Sequence, residues 1–190
     1  MHKNRLEAFS DGVLAIIITI MVLEIKTPHG TGWQDLKPMA PILLTYLFSF
    51  IYVGIYWNNH HHLFHVVQRV NGKILWANLH LLFWVSLLPF ATAWVDENHF
   101  ASLPVATYGV VLLMCAIAWT ILASTIIHFE GEGSKLKRAY QSDNKGKIST
   151  LLYIVGIASA FFYPVLSIIC YIAVAAIWFI PDSRIERLKE

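Results

Sequence analysis

The chain has 190 residues, of which 57% are hydrophobic and only 14% are charged, and its mean hydropathy is +0.57. So few polar groups cannot cover the surface of a water-soluble protein, which excludes a soluble globular domain. The formal net charge of +2 is too small to indicate a nucleic-acid partner. We therefore expect an all-α, polytopic protein whose main partner is the lipid bilayer.

The hydrophobic residues fall into six segments, and a membrane-spanning helix needs about 20 apolar residues. Turn signals separate the segments, among them Thr27-Pro28-His29-Gly30 after the first and Asn71-Gly72 after the second. The pattern predicts one domain, 1–190, with six transmembrane helices per subunit. The predicted spans are 6–25, 42–64, 74–95, 103–127, 148–163 and 165–180.

The last two segments are short, so they allow a second interpretation. Residues 148–180 as one bent helix would be about 50 Å long, which exceeds a hydrocarbon core of about 30 Å. Pro164 interrupts the run and favours a helical hairpin instead.

The placement of lysine and arginine predicts the orientation. Six spans put only Lys26 and Lys37 on one side of the membrane and the remaining twelve of the 14 on the other. Because the basic side of a membrane protein faces the cytoplasm, we expect a multi-pass protein of the cell membrane with both termini cytoplasmic. The basic side collects Lys3, Arg5, Arg69, Lys73, Lys135, Lys137, Arg138, Lys145, Lys147, Arg184, Arg187 and Lys189.

Several polar residues fall within the predicted spans, where an unpaired ionisable group is costly. Asp11 lies about 5 residues into the first segment, and the second and third segments bring amides and imidazoles to a similar depth. Groups from three helices at one level can satisfy one another. We predict a polar network near the cytoplasmic side, formed with Asn58, His61, His62, Asn78 and His80.

The histidines leave two other interpretations open. His61 and His65 have the i, i+4 spacing that zinc accepts, but no third ligand is evident. A haem between His61 and His80 would need matched heights on facing helices. The cysteines, Cys115 and Cys170, lie in apolar runs and are expected to pack as small hydrophobic residues. The sequence therefore predicts no metal site and no cofactor.

The first segment has two distinct stripes. On a helical wheel Ile16, Ile20 and Leu23 cluster within about 60°, whereas Asp11 points about 140° away from their centre. If Asp11 faces the bundle, the apolar stripe faces lipid, another subunit or a central axis. Periodicity alone does not choose among these.

Arg5-Leu6-Glu7-Ala8-Phe9-Ser10-Asp11 matches an RxxxFSD signature on the first of six spans. With it, the chain resembles the endolysosomal-type potassium channel family, transmembrane protein 175, in its bacterial form. The resemblance extends to the stretches Leu23 to Lys26, Ser49 to His61 and Asn78 to Phe90.

The resemblance implies a potassium-preferring cation channel, assembled as a homotetramer, with the first helix of each subunit lining a central pore. The positions that match the family's hydrophobic constriction are Ile16, Ile20 and Leu23, and Thr19 matches the hydroxyl residue beside it. The signature residues then serve as scaffold for the pore helix; these are Arg5, Phe9, Ser10 and Asp11.

Two other function classes compete with a channel. A six-helix small-solute transporter or exporter should show broken helices or repeated halves around a midplane site. An enzyme needs convergent acid, base or metal groups that are open to substrate. The first segment is continuous and apolar at its midplane, and the polar residues are expected to pair internally, so the sequence favours a channel over a transporter and indicates no enzyme.

Overall fold

The computed structural model describes residues 3–67, 69–131, 136–137 and 144–180, and the all-α class is confirmed. Five of the twelve basic residues on the predicted cytoplasmic side lie outside the described residues: Lys135, Arg138, Arg184, Arg187 and Lys189. The helices are α1 (Lys3–Leu23), α2 (Trp33–Leu36), α3 (Met39–Val66), α4 (Gly72–Val85), α5 (Leu88–Glu97), α6 (Ser102–Glu130), α7 (Asn144–Ser159) and α8 (Pro164–Phe179).

Four helical segments in the described part of the chain are long and apolar enough to cross a membrane. They are Lys3–Leu23, Met39–Val66, Gly72–Glu97 and Ser102–Glu130. The third of them is interrupted, because it combines α4 and α5 around a turn at Ser86 and Leu87. Pro89 stands in the first turn of α5 and lacks the N–H that would continue the helical hydrogen bonds across the turn.

The C-terminal pair, α7 and α8, contains 16 residues in each helix. At 1.5 Å per residue each is about 24 Å long, shorter than a hydrocarbon core of about 30 Å. The helix is interrupted before Pro164, and the two helices pack against each other as a hairpin. The Ser159 and Ser167 hydroxyls hydrogen bond at 3.0 Å across this hairpin.

The packing places α1 on one side of the bundle and the α7–α8 hairpin on the other. Helix α6 contacts α4, α5, α7 and α8, whereas α1 contacts α3, α4 and α5. Helix α3 connects the two sides, because it packs against α1, α5 and α8. Helix α1 therefore leaves much of its surface uncovered within the subunit, and α3 does so to a similar extent.

Buried hydroxyl groups join the helices between these two sides. Ser49 of α3 hydrogen bonds to Thr92 of α5 at 2.7 Å and to Tyr108 of α6 at 2.9 Å. Tyr52 donates to the Tyr171 carbonyl oxygen of α8 at 2.7 Å. In a membrane protein such bonds and close packing hold helices together, since lipid gives no hydrophobic drive for helix association.

Two glycines make room for the largest buried side chain of this region. Tyr171 is 2% exposed, and its ring lies against Gly109 of α6 and Gly156 of α7. A Cβ atom at either glycine would overlap the Tyr171 ring or hydroxyl group. Small residues therefore set how closely α6 and α7 approach α8.

We predict that Gly156→Ala lowers the stability of the detergent-solubilised protein by about 1–3 kcal/mol, because the new methyl group overpacks Tyr171. Gly54→Ala is the matched control, since a Cβ atom there meets no heavy atom within 4 Å. Replacing a helical glycine without a clash stabilises by about 0.5–1 kcal/mol. The stability of both variants is measured as the loss of the folded peak in size-exclusion chromatography after heating. Equal melting temperatures for the two variants would contradict the assigned role of Gly156.

Candidate pore surface and polar network

Helix α1 uses one narrow face for packing inside the subunit. The buried residues follow the i, i+4 and i, i+3 spacing of a single helical stripe, which contacts α3, α4 and α5. They are Leu6, Ser10, Leu14, Ile17 and Met21.

The apolar stripe predicted from the sequence lies outside this packed face. Ile16 is 59% exposed, Ile20 is 42% exposed and Leu23 is 76% exposed in the single subunit. Thr19 is also exposed, and its hydroxyl group donates to the Ala15 carbonyl oxygen at 2.8 Å. The subunit thus leaves a contiguous apolar face of α1 without an intramolecular partner in the described part of the chain.

The four signature residues occupy different surroundings. Ser10 is fully buried, whereas Arg5 and Phe9 lie on the exposed surface of α1. Asp11 is exposed as well, and its Oδ1 accepts a hydrogen bond from Trp57 Nε1 of α3 at 3.0 Å. Inside one subunit, Ser10 and Asp11 therefore contact neighbouring helices, and a scaffold role for Arg5 and Phe9 would need contacts beyond the subunit.

A continuous hydrogen-bond chain joins α3, α4 and α1 next to the signature. His60 Nε2 donates to Asn78 Oδ1 at 2.8 Å, and Asn78 Nδ2 donates to Ser10 Oγ at 2.9 Å. Ser10 Oγ in turn donates to the Leu6 carbonyl oxygen at 2.9 Å. Each polar group in this chain finds a partner without water, as the interior of a membrane protein requires.

Of the predicted network members, Asn78 joins this chain, but its imidazole partner is His60. His60 is not among the predicted members of the network and is 2% exposed. His60 lies 7 and 11 residues after the buried Val53 and Ser49, so it shares their helical face. Because α3 is apolar nearly all round, hydrophobicity did not reveal which face is buried.

The remaining predicted members of the network lie elsewhere. His61 is exposed, and its ring stacks on Trp57 at 6.4 Å between centroids, beside Asp11. Asn58 and His62 are half-buried on the same helix. His80 Nε2 accepts from Trp84 Nε1 of its own helix at 3.0 Å. A one-residue step turns a side chain by about 100°, which takes His61 away from Asn78.

An ion pair joins the segment that follows the C-terminal end of α1 to the end of α5. Lys26 Nζ lies 2.9 Å from Glu97 Oε1, and both side chains are exposed. The hydrogen bond that Lys26 donates to Glu97 and, to a smaller extent, the negative charge of Glu97 raise the pKa of Lys26 above its ordinary value of 10.5. The Lys26 ammonium is therefore charged at neutral pH, and its charge is lost as the pH rises through this raised pKa.

Within residues 3–67, 69–131 and 144–180, no group of three or more histidine, cysteine or acidic side chains is arranged to hold a metal ion. Cys115 and Cys170 are buried free thiols. The chemistry that the site offers is thus an apolar helix surface, oriented by a buried polar chain.

We predict that Asn78→Leu destabilises the protein by about 1–2 kcal/mol, because it leaves His60 Nε2 buried without an acceptor. Asn58→Leu is the control, since Asn58 is half-buried and forms no hydrogen bond to another helix in the described part of the chain. Thermal melting of the purified protein compares the two. Losses of the same size would mean that the three-helix chain contributes nothing specific.

The chain is similar to known proteins in sequence and in fold. A family model described as "Endosomal/lysosomal potassium channel TMEM175" matches residues 5–89. A protein named potassium channel from Chryseobacterium sp. is 64% identical over 100% of both chains. A protein from Gallus gallus named endosomal/lysosomal proton channel TMEM175 is 34% identical over 51% of this chain, which spans 22% of that larger protein.

A solved structure has the same fold. The crystal structure of a lysosomal potassium-selective channel TMEM175 homologue from Chamaesiphon minutus superposes with a TM-score of 0.78. The sequences are 27% identical, and the match covers 94% of this chain and 97% of that one.

Proposed function

Because the chain belongs to the TMEM175 channel family, we propose that it is a potassium-preferring cation channel of the cell membrane, assembled as a homotetramer. Conduction is passive and runs down the electrochemical gradient through a central pore. The polypeptide is a channel subunit and not an enzyme, and its partners are potassium ions, the lipid bilayer and three further copies of itself.

The observation that carries this proposal is the exposed apolar face of α1. Helix α1 packs one stripe against its own subunit. Its other side must therefore contact another subunit, face lipid or line a pore. In a closed cyclic tetramer, four copies of Ile16, Ile20 and Leu23 form stacked apolar rings around the axis. These rings are the proposed constriction, with Thr19 on the adjoining face.

Such rings select ions by a different mechanism from a filter built of carbonyl groups. The sequence contains no TVGYG-like loop to replace the hydration shell of potassium. A hydrophobic ring expels water when narrow and passes ions when wider, and it then favours the ion whose hydration shell is more easily disturbed. Potassium holds its water less tightly than sodium, so a modest preference for potassium follows.

The proposed topology has six spans, with α4 and α5 forming the third and the short helices α7 and α8 forming the last two. An even number of spans puts both termini on one side, where twelve of the 14 lysines and arginines lie. That side is the cytoplasm. Spans shorter than the hydrocarbon core are accommodated by local thinning of the bilayer.

A six-helix small-solute transporter is the alternative, and the turn at Ser86 and Leu87 favours it, because transporters use broken helices. In transporters such breaks surround a substrate site near the midplane. Here the interrupted segment packs against α6 and α1, and α1 itself is continuous from Lys3 to Leu23. Flux that saturates at millimolar substrate would favour the transporter.

Replacing Ile16 with Asn should raise the potassium flux by about tenfold and reduce the preference over sodium. A polar ring keeps water in the constriction, and a barrier lower by about 1.4 kcal/mol gives that factor. Val22→Asn is the control, because Val22 is an exposed apolar residue of the same helix, 45% exposed, on a different face. Flux is measured in proteoliposomes with a potassium gradient, a protonophore that lets protons exchange for potassium, and a pH-sensitive dye.

The assay has two further arms. Omitting the protonophore tests whether the channel itself carries protons, and replacing potassium with sodium measures the preference. If Ile16→Asn and Val22→Asn change the flux equally, the assignment of the pore face is wrong. If the unaltered protein gives no flux, the channel proposal fails.

A further inference from the structure

A cleft lies between the beginning of α4 and the end of α6, away from the exposed face of α1. Its volume is about 570 Å³, within the range of sites that hold small ligands. The cleft is at the end of the bundle that carries most of the basic residues. It is lined by Asn71, Gly72, Lys73, Trp76, Thr125, His128 and Phe129.

The polar lining of this cleft suits an anion. Lys73 brings an ammonium group, and the His128 imidazole supplies a further donor, whereas the Thr125 hydroxyl already donates to the Ile121 carbonyl oxygen at 2.7 Å. The Oδ1 atom of Asn71 accepts a hydrogen bond from the backbone N–H of Ile74 at 2.9 Å. Its Nδ2 group is the part that can donate to a ligand. No carboxylate is among the lining residues.

The aromatic residues of the cleft place it at the boundary between water and lipid. Trp76 is 75% exposed and Phe129 is 43% exposed. Both lie within the last or first two turns of a membrane-spanning segment, where aromatic side chains favour the headgroup level. An anion in this cleft would therefore sit at the depth of lipid phosphates.

The surface next to the cleft, farther from this end of the bundle, is apolar. Leu79 is 40% exposed and Phe83 is 55% exposed, and they follow Trp76 at i+3 and i+7 along one face of α4. On α6, Ile121 is 42% exposed, one turn before Thr125. A free phosphate would use only the cleft, whereas a phospholipid would use both the cleft and this apolar surface.

We propose that this cleft binds the headgroup of an anionic phospholipid, with its acyl chains along the exposed apolar residues of α4 and α6. Basic pockets between transmembrane helices on the cytoplasmic side are known to hold such headgroups. The Lys73 ammonium pairs with the phosphate, and the His128 imidazole and the Asn71 Nδ2 group donate to its oxygens. The site is independent of the pore and depends only on the chain spanning a membrane.

Native mass spectrometry of the detergent-solubilised protein tests the site with phosphatidylglycerol and phosphatidylcholine as probes. The unaltered protein should bind phosphatidylglycerol in preference to phosphatidylcholine. Lys73→Gln should weaken phosphatidylglycerol binding by about tenfold, the factor for losing a charge-assisted contact. Lys73→Arg should retain it, because the positive charge remains.

Lys145→Gln is the matched control for charge. Lys145 lies at the same end of the bundle and also beside a tryptophan, with its Nζ 5.8 Å from the centre of the Trp178 ring, but outside the cleft. Equal losses for Lys73→Gln and Lys145→Gln would overturn the site in favour of a general charge effect. Equally strong binding of glycerol phosphate, which has no acyl chains, would overturn the lipid in favour of a free anion.

Discussion

One buried hydrogen-bond chain, from His60 through Asn78 to Ser10, joins α3, α4 and α1, and it forms only in the rotation of α1 that brings these groups together. In hydrocarbon, each of these groups would be costly alone, so they pair in the one rotation that brings them together. That rotation leaves Ile16, Ile20 and Leu23 on the open side of the helix. A buried polar contact thus decides which apolar surface a subunit presents to its surroundings.

The remaining helices form a connected bundle. Helix α6 contacts four other helices, and the hydroxyl bonds around Ser49 and Tyr52 connect α3 to α5, α6 and α8. Helix α1 contacts its own subunit through one stripe, and the Lys26–Glu97 pair follows just after its C-terminal end. In the proposed channel, α1 lines the pore and the other helices support it.

The subunit has two kinds of exposed surface, the apolar face of α1 and the cleft between α4 and α6. Residues 16–23 of α1 contain no charged side chain, whereas the cleft between α4 and α6 combines an ammonium, an imidazole and two aromatic rings. An apolar ring around an axis acts on ion hydration, and a basic cleft at the membrane boundary acts on lipid headgroups. The two surfaces lie on different helices, so each is open to separate test.

The sequence by itself determined the membrane class and the approximate positions of the helical segments, because composition and segment length are local properties. It also identified the apolar stripe of α1, since α1 has a clear helical period. It did not identify His60, because α3 is apolar on nearly every side and only contact with Asn78 shows which face is buried. The turn at Ser86 and Leu87, and the cleft between α4 and α6, likewise depended on tertiary packing between residues far apart in the chain.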